Sequence, residues 1–151
     1  MKSLFIFISV VLLFGCKKDT DDINGKKLYQ LPLKTIKKSL LGKWQVKSSC
    51  SITIAGSNCV EPENDFYTFT YNDSLIYTSN GQVVRRNKIE FYKVAAADRV
   101  PSYKADSIYA FRLLPSGGTL IPNTLVNDSL SLESAIISVD AGGEIILIRQ
   151  K

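Results

Sequence analysis

Any chemistry in this chain has to be done without histidine, because its 151 residues contain none. That removes the Ser-His and Cys-His nucleophile pairs and the commonest nitrogen ligand of metals. What remains is three cysteines, Cys16, Cys50 and Cys59, scattered carboxylates, and aromatics at alternating positions. The densest acidic stretch, Glu61-Pro62-Glu63-Asn64-Asp65, presents oxygen donors at every second residue, the kind of set that holds calcium. It lacks the glycine and the ligand density of a calcium loop, and a solvated turn leading into a strand accounts for it. Carboxylate pairs are what remains for acid–base work, and no phosphate-cradling glycine loop is present. The sequence therefore reads as a protein that is not an enzyme and carries neither metal nor cofactor.

The aromatics are the other functional candidates. Tyr67, Phe69 and Tyr71 fall on one face of an expected strand, and Phe91, Tyr109 and Phe111 on faces of later ones. They are placed to line a ligand cavity, with tyrosine hydroxyls as its few polar contacts. The same residues would equally fill a barrel solidly, and both readings stay open.

Cys16 ends a distinctive opening. Lys2 precedes an apolar run of 11 residues, 4–14, and Gly15 follows it. A positive start, a short apolar run and a small residue make a signal peptide over residues 1–15. A membrane-spanning helix would need roughly 20 apolar residues. Leu13-Phe14-Gly15-Cys16 resembles the bacterial lipobox, which implies cleavage before Cys16 and acylation of that residue. The alternative is an ordinary signal peptide that leaves Cys16 as an odd free thiol. Several acyl chains, each worth about 0.8 kcal/mol per CH₂, would make the anchor permanent. Lys18-Asp19-Thr20-Asp21-Asp22 resembles the export tag of surface lipoproteins in the Bacteroidota, although a solvated linker explains it nearly as well. The expected location is the outer membrane, on its periplasmic face or at the cell surface.

Net charge excludes another class. The chain carries a formal +5, and removing a signal segment whose one charge is Lys2 leaves +4. The excess is spread thinly, with Arg85-Arg86-Asn87-Lys88 the one local knot, whereas a nucleic-acid binder shows a basic stripe with interleaved aromatics. Nucleic acid is therefore not an expected partner. Cys50 and Cys59, an isolated pair in an exported chain, predict a disulfide worth about 2–3 kcal/mol by loop entropy. Two free buried thiols are the alternative.

The elements that would position these residues follow from periodicity. Residues 16–33 have no apolar period and read as the lipidated cysteine and a flexible tether. Residues 34–41 place Ile36, Leu40 and Leu41 on one helical face, with Gly42 to end the helix. From there the chain alternates with period two. In the first strand Trp44, Val46, Ser48, Cys50, Ile52 and Ile54 are expected on one face. Asn72-Asp73, Asn80-Gly81, Ser116-Gly117-Gly118 and Asn127-Asp128 mark turns, and Asn80-Gly81 is the strongest hairpin signal. Strands are expected at 66–71, 75–78, 82–94, 107–114, 119–126, 129–133 with a continuation over 135–139, and 144–149. The one long loop is 95–106. The fold class is all-β: an antiparallel up-and-down meander of about eight strands in one domain over 34–151. Closure into a barrel is the common remedy for its exposed edges.

Leu40-Leu41-Gly42-Lys43-Trp44 resembles the L-x-G-x-W opening of lipocalin-like domains, particularly the short lipoprotein versions of the Bacteroidota. The stretches FTYNDSLIYTSNG, NDSLSLES and IILIRQK are similar to later strands of that group. The resemblance implies a lipocalin-like barrel with a short helical turn before its first strand. It further implies that Trp44 packs at the barrel floor under Arg149 from the last strand. Alternation alone leaves the last strand undecided, since its two faces, Ile145-Leu147-Arg149 and Ile146-Ile148, are both apolar. The functional expectation is a monomeric, membrane-anchored lipoprotein that binds a small hydrophobic or amphipathic molecule. The alternative is a non-enzymatic envelope module with a filled core that binds a protein or glycan through its loops.

Overall fold

The computed structural model describes residues 23–53, 56–95, 107–134 and 141–151. The expected signal segment, Cys16, Ile54, the loop at 96–106 and the strand continuation at 135–139 lie outside the described residues.

A 3₁₀ turn at Leu28–Gln30 precedes helix α1 (Leu33–Leu40). Nine strands follow among the described residues: β1 (Gly42–Thr53), β2 (Gly56–Val60), β3 (Asp65–Phe69), β4 (Ser74–Ser79) and β5 (Gln82–Ala95). Beyond them come β6 (Ser107–Leu114), β7 (Thr119–Val126), β8 (Ser129–Ser134) and β9 (Ala141–Arg149). Neighbouring strands pair antiparallel, and β1 also pairs with β9, with Trp44 opposite Arg149 and Val46 opposite Leu147. Eight strands therefore close into an up-and-down barrel, with β9 returning to pair with β1.

The strand outside the closed set is β2, which the alternation did not predict. It pairs with the far end of β1, while β3 takes the near end of the same edge. All five residues of β2 are exposed, so it is held by its ladder to β1 rather than by side-chain burial. The Cys50–Cys59 disulfide staples that ladder, joining residues that face each other in register.

Turn chemistry is local and follows the sequence. Asn80 and Gly81 both take positive φ (49° and 78°), as do Asn127 and Asp128 (45° and 63°), which is what tight hairpins between right-twisted strands require. Alternation is interrupted by β-bulges. The register of β1 against β9 shifts between Val46 and Ser48, so Ser48 lies opposite Ile146 and Ser49 opposite Ile145. The single continuous face expected through Ser48 and Cys50 is therefore broken, because an extra residue flips everything beyond it.

The core fills the barrel with Trp44, Phe111, Leu130, Leu132 and Leu147, all fully buried, and Ile36 and Leu40 of α1 close it from one end. On the last strand Leu147 is buried while Ile146 and Ile148 are only half-buried, so the face carrying Ile145, Leu147 and Arg149 points inward.

Packing against the barrel starts earlier than position 34. Strands β6 and β7 pair only at Phe111–Leu120 and Arg112–Thr119 and then diverge. The N-terminal segment enters the gap: Gly25 N–H donates to the Leu125 carbonyl at 2.8 Å, and Lys27 bridges antiparallel to Thr124. Leu28 turns into the main core, fully buried. Tyr29, 4% exposed, covers Ile108, Ala110 and Ile121 on the outer face. Residues assigned to the tether thus seal a seam. Their lack of an apolar period reflects an irregular wedge that reaches two cores at once.

Candidate functional site

The end of the barrel at which β1 begins is built around one motif. Gly42 has φ +115°, a region side chains rarely adopt, and a Cβ there would meet Arg149 Nη1 at 3.4 Å. Two residues on, the Trp44 indole is fully buried and donates from Nε1 to the Leu40 carbonyl at 2.6 Å. Arg149 Cζ lies 4.1 Å from the Trp44 ring centroid. The same guanidinium donates to the carbonyls of Leu41 (2.8 Å) and Ser39 (2.7 Å), which are at the C-terminus of α1. Free carbonyls at a helix end carry partial negative charge, so a cation there is favourable. Its Nε also approaches Asp128 Oδ1 at 3.6 Å. Burial pushes the Arg149 pKa down, and Asp128 opposes the shift. The pair is a structural joint between helix, first strand and last strand.

The joint holds α1 beside an open cleft. A cavity of about 410 Å³ lies between α1, the β3–β4 turn and β5. Phe69, Ile89, Phe91 and Leu40 give it an apolar floor. Lys34, Lys37 and Lys38 of α1 stand at its edge, with Thr70, Tyr71 and Asp73 from the turn across from them. Lys34, Lys37, Lys38 and Leu41 fall at helical spacing on one stripe, while Ile36 and Leu40 bury the adjacent one. The turn is fixed by backbone bonds: Ile89 N–H donates to the Asp73 carbonyl at 2.6 Å, and Thr70 N–H to that of Ser74 at 3.0 Å. Asp73 in turn holds Lys37 Nζ at 2.5 Å, and that ammonium sits 4.9 Å from the Phe91 ring centroid.

The six aromatics singled out in the sequence do not converge on one cavity. Phe69, Tyr71 and Phe91 line the cleft. Tyr71 is not on the strand, since β3 ends at Phe69; it lies in the turn and is 92% exposed, at the lip. Phe111 is fully buried and packs edge-on to Phe69 at 6.0 Å. Tyr109 is half-buried with Lys93 Nζ 5.1 Å above its ring. Tyr67 packs at right angles to Tyr77, 5.5 Å between centroids. The sequence reading missed the lysine stripe as part of a site; its i, i+3, i+4 spacing beside Leu41 was the available signal.

No protein-family model matches the chain, and neither a curated protein nor a solved structure matches it.

The acidic stretch after Cys59 is drawn apart. Glu61 approaches Lys47 at 3.8 Å, while Asp65 accepts from the Tyr77 hydroxyl at 2.5 Å. Among the described residues, no three of His, Cys, Asp or Glu group together as metal ligands. One buried polar atom is unexplained by the fold. Asn87, 5% exposed and opposite Leu75 on the inner face, has an Oδ1 with no hydrogen-bond partner among the described residues. What this end of the barrel can do chemically is bind: it has an apolar floor, a cationic rim and one carboxylate.

Proposed function

We propose that this chain is a monomeric outer-membrane lipoprotein, acylated at Cys16, whose lipocalin-like barrel captures a small hydrophobic or amphipathic molecule. The observation that carries the reading is the cleft of about 410 Å³, which falls within the 300–1,000 Å³ of small-molecule sites and has the apolar floor such sites need. The L-x-G-x-W stretch at Leu40 to Trp44 and the Trp44–Arg149 stack support the lipocalin-like part of the proposal. Lipobox resemblance at Leu13 to Cys16 supports the anchor. Native mass spectrometry of protein extracted from its source cells tests capture: a co-purifying small molecule is expected. Protein that is uniformly at its bare acylated mass overturns it. Cys16→Ser should move the protein from membrane to soluble fractions, and a variant that still partitions with membranes removes the anchor.

A second reading has its own observation. Trp44, Phe111, Leu130, Leu132 and Leu147 are fully buried in the barrel interior, which suits the solid filling that the sequence left open beside the ligand cavity. That favours an interaction module of the envelope that uses its surface, and bare protein in the same measurement would support it.

A further inference from the structure

We infer that the cleft beside α1 holds a single-chain amphiphile with an anionic head, its chain on Phe69, Ile89 and Phe91 and its head at the lysine rim. The inference rests on the ligand-binding reading above and adds a place and a head-group charge.

Charge at the mouth is unbalanced. Three lysines face one carboxylate, Asp73, and that carboxylate is already engaged by Lys37 at 2.5 Å. Lys34 and Lys38 are exposed and have no ion-pair partner among the described residues. They share a stripe with Lys37 at i, i+3 and i+4 spacing, so the three repel one another. Lys37 and Lys38 lie in the last turn of α1, where the helix dipole favours cations. Lys34 lies in the first turn, where the dipole opposes a cation, and no acidic residue accompanies it there. An anion between the lysines satisfies what the helix itself does not. Below them the floor is aromatic and aliphatic, so the same ligand must carry an apolar tail. At about 410 Å³ the cleft is near the small end of ligand sites, which suits one chain rather than two.

Position along the chain points the same way. Asn24 is bonded to Asn127 in the β7–β8 turn, and Arg149 joins that turn at Asp128 to the end of α1. The chain therefore leaves toward Cys16 from the end of the barrel that carries the cleft. Seven Cα–Cα steps separate Cys16 from Ile23, a span of at most about 25 Å when fully extended. With Cys16 acylated, that span keeps this end of the barrel within reach of the lipid surface, where single-chain amphiphiles concentrate. Tyr71, 92% exposed at the lip, is the residue type that membrane interfaces favour.

The test is calorimetric titration of the delipidated full mature chain carrying Cys16→Ser with four probes: dodecanoate, dodecyl phosphate, dodecanol and dodecyltrimethylammonium. Expected is saturable binding of the two anions, with dodecanol at least about tenfold weaker and the cation weaker still. The tighter anion distinguishes a fatty-acid carboxylate from a phosphate-headed lipid as the source. Lys34→Gln with Lys38→Gln should weaken dodecanoate about five- to tenfold while leaving dodecanol unchanged. Leu41→Trp, which fills the cleft without altering charge, should abolish binding of both, with an unchanged circular dichroism spectrum as the folding control. Equal affinity for dodecanoate and dodecanol, or indifference to the lysine changes, overturns the anionic head and leaves ligand capture standing. Binding that survives Leu41→Trp overturns the location. Failure of every probe to bind overturns this inference alone, and the native mass measurement then decides the capture reading.

Discussion

Arg149 places its guanidinium 4.1 Å from the centroid of the Trp44 ring while donating two hydrogen bonds to the last carbonyls of α1. The two residues are also cross-strand partners at the closure of the barrel, so three elements meet in one contact. Trp44→Ala should cost about 3–5 kcal/mol because it empties a fully buried site. Arg149→Ala should cost about 1–3 kcal/mol, since charge-assisted bonds to the helix end are lost. A double-mutant cycle in urea should give a coupling of about 0.5–2 kcal/mol. Coupling will be partial, because the bonds to Ser39 and Leu41 survive loss of the ring. Strict additivity would show that the stack contributes nothing.

Leu28 is the residue that makes the N-terminal segment part of the domain. Its side chain is fully buried in the main core, so Leu28→Ala should destabilise by about 2–5 kcal/mol. Hydrogen exchange at the Gly25 amide, bonded to Leu125, should accelerate in the same variant. An unchanged urea midpoint would mean that β6 and β7 do not need the wedge.

Asn87 keeps a buried acceptor unsatisfied among the described residues, which costs about 1–3 kcal/mol relative to an apolar group of similar shape. Asn87→Leu should therefore raise the urea midpoint. A lower midpoint would show that the amide has a partner, such as a bound water, and that the fold depends on it.

Tyr67 gives the domain an alkaline limit. Burial disfavours its phenolate and Asp65 repels it, raising the pKa above 10.0, while Arg85 opposes the shift. The hydrogen bond to Asp65 raises Tyr77 as well, followed by burial. Both groups are acids held neutral by the fold, so below the unfolded value of 10.0 their contribution is fully present. As pH rises past that value the unfolded chain ionises first and stability falls, until the folded pKa is reached. Urea midpoints measured from about pH 9 to 11 should decline, and the decline should be shallower in Tyr67→Phe. Parallel slopes in the two proteins would contradict the assignment.

What the sequence determined by itself was local. Period-two alternation dictated strands, the Asn-Gly and Asn-Asp pairs dictated hairpins through their tolerance of positive φ, and the spacing of Ile36 and Leu40 dictated α1 to within one residue. The isolated pair Cys50 and Cys59 sufficed for the disulfide. Tertiary structure decided whatever depended on partners far along the chain. The inward face of β9 could not be read from alternation over Ile145 to Ile148, because both faces are apolar; the resemblance pointed to the face with Arg149, and pairing with Trp44 and Val46 on β1 puts that face inward. The bulge after Val46 exchanged faces midway along β1, since its register is set against β9 and not within the strand. Residues Gly25 to Tyr29 carry no periodic signal, because the gap they fill exists only where β6 and β7 diverge. The cleft, likewise, arises from setting a helical stripe of lysines against a turn and a strand distant in sequence, a juxtaposition that no local pattern encodes.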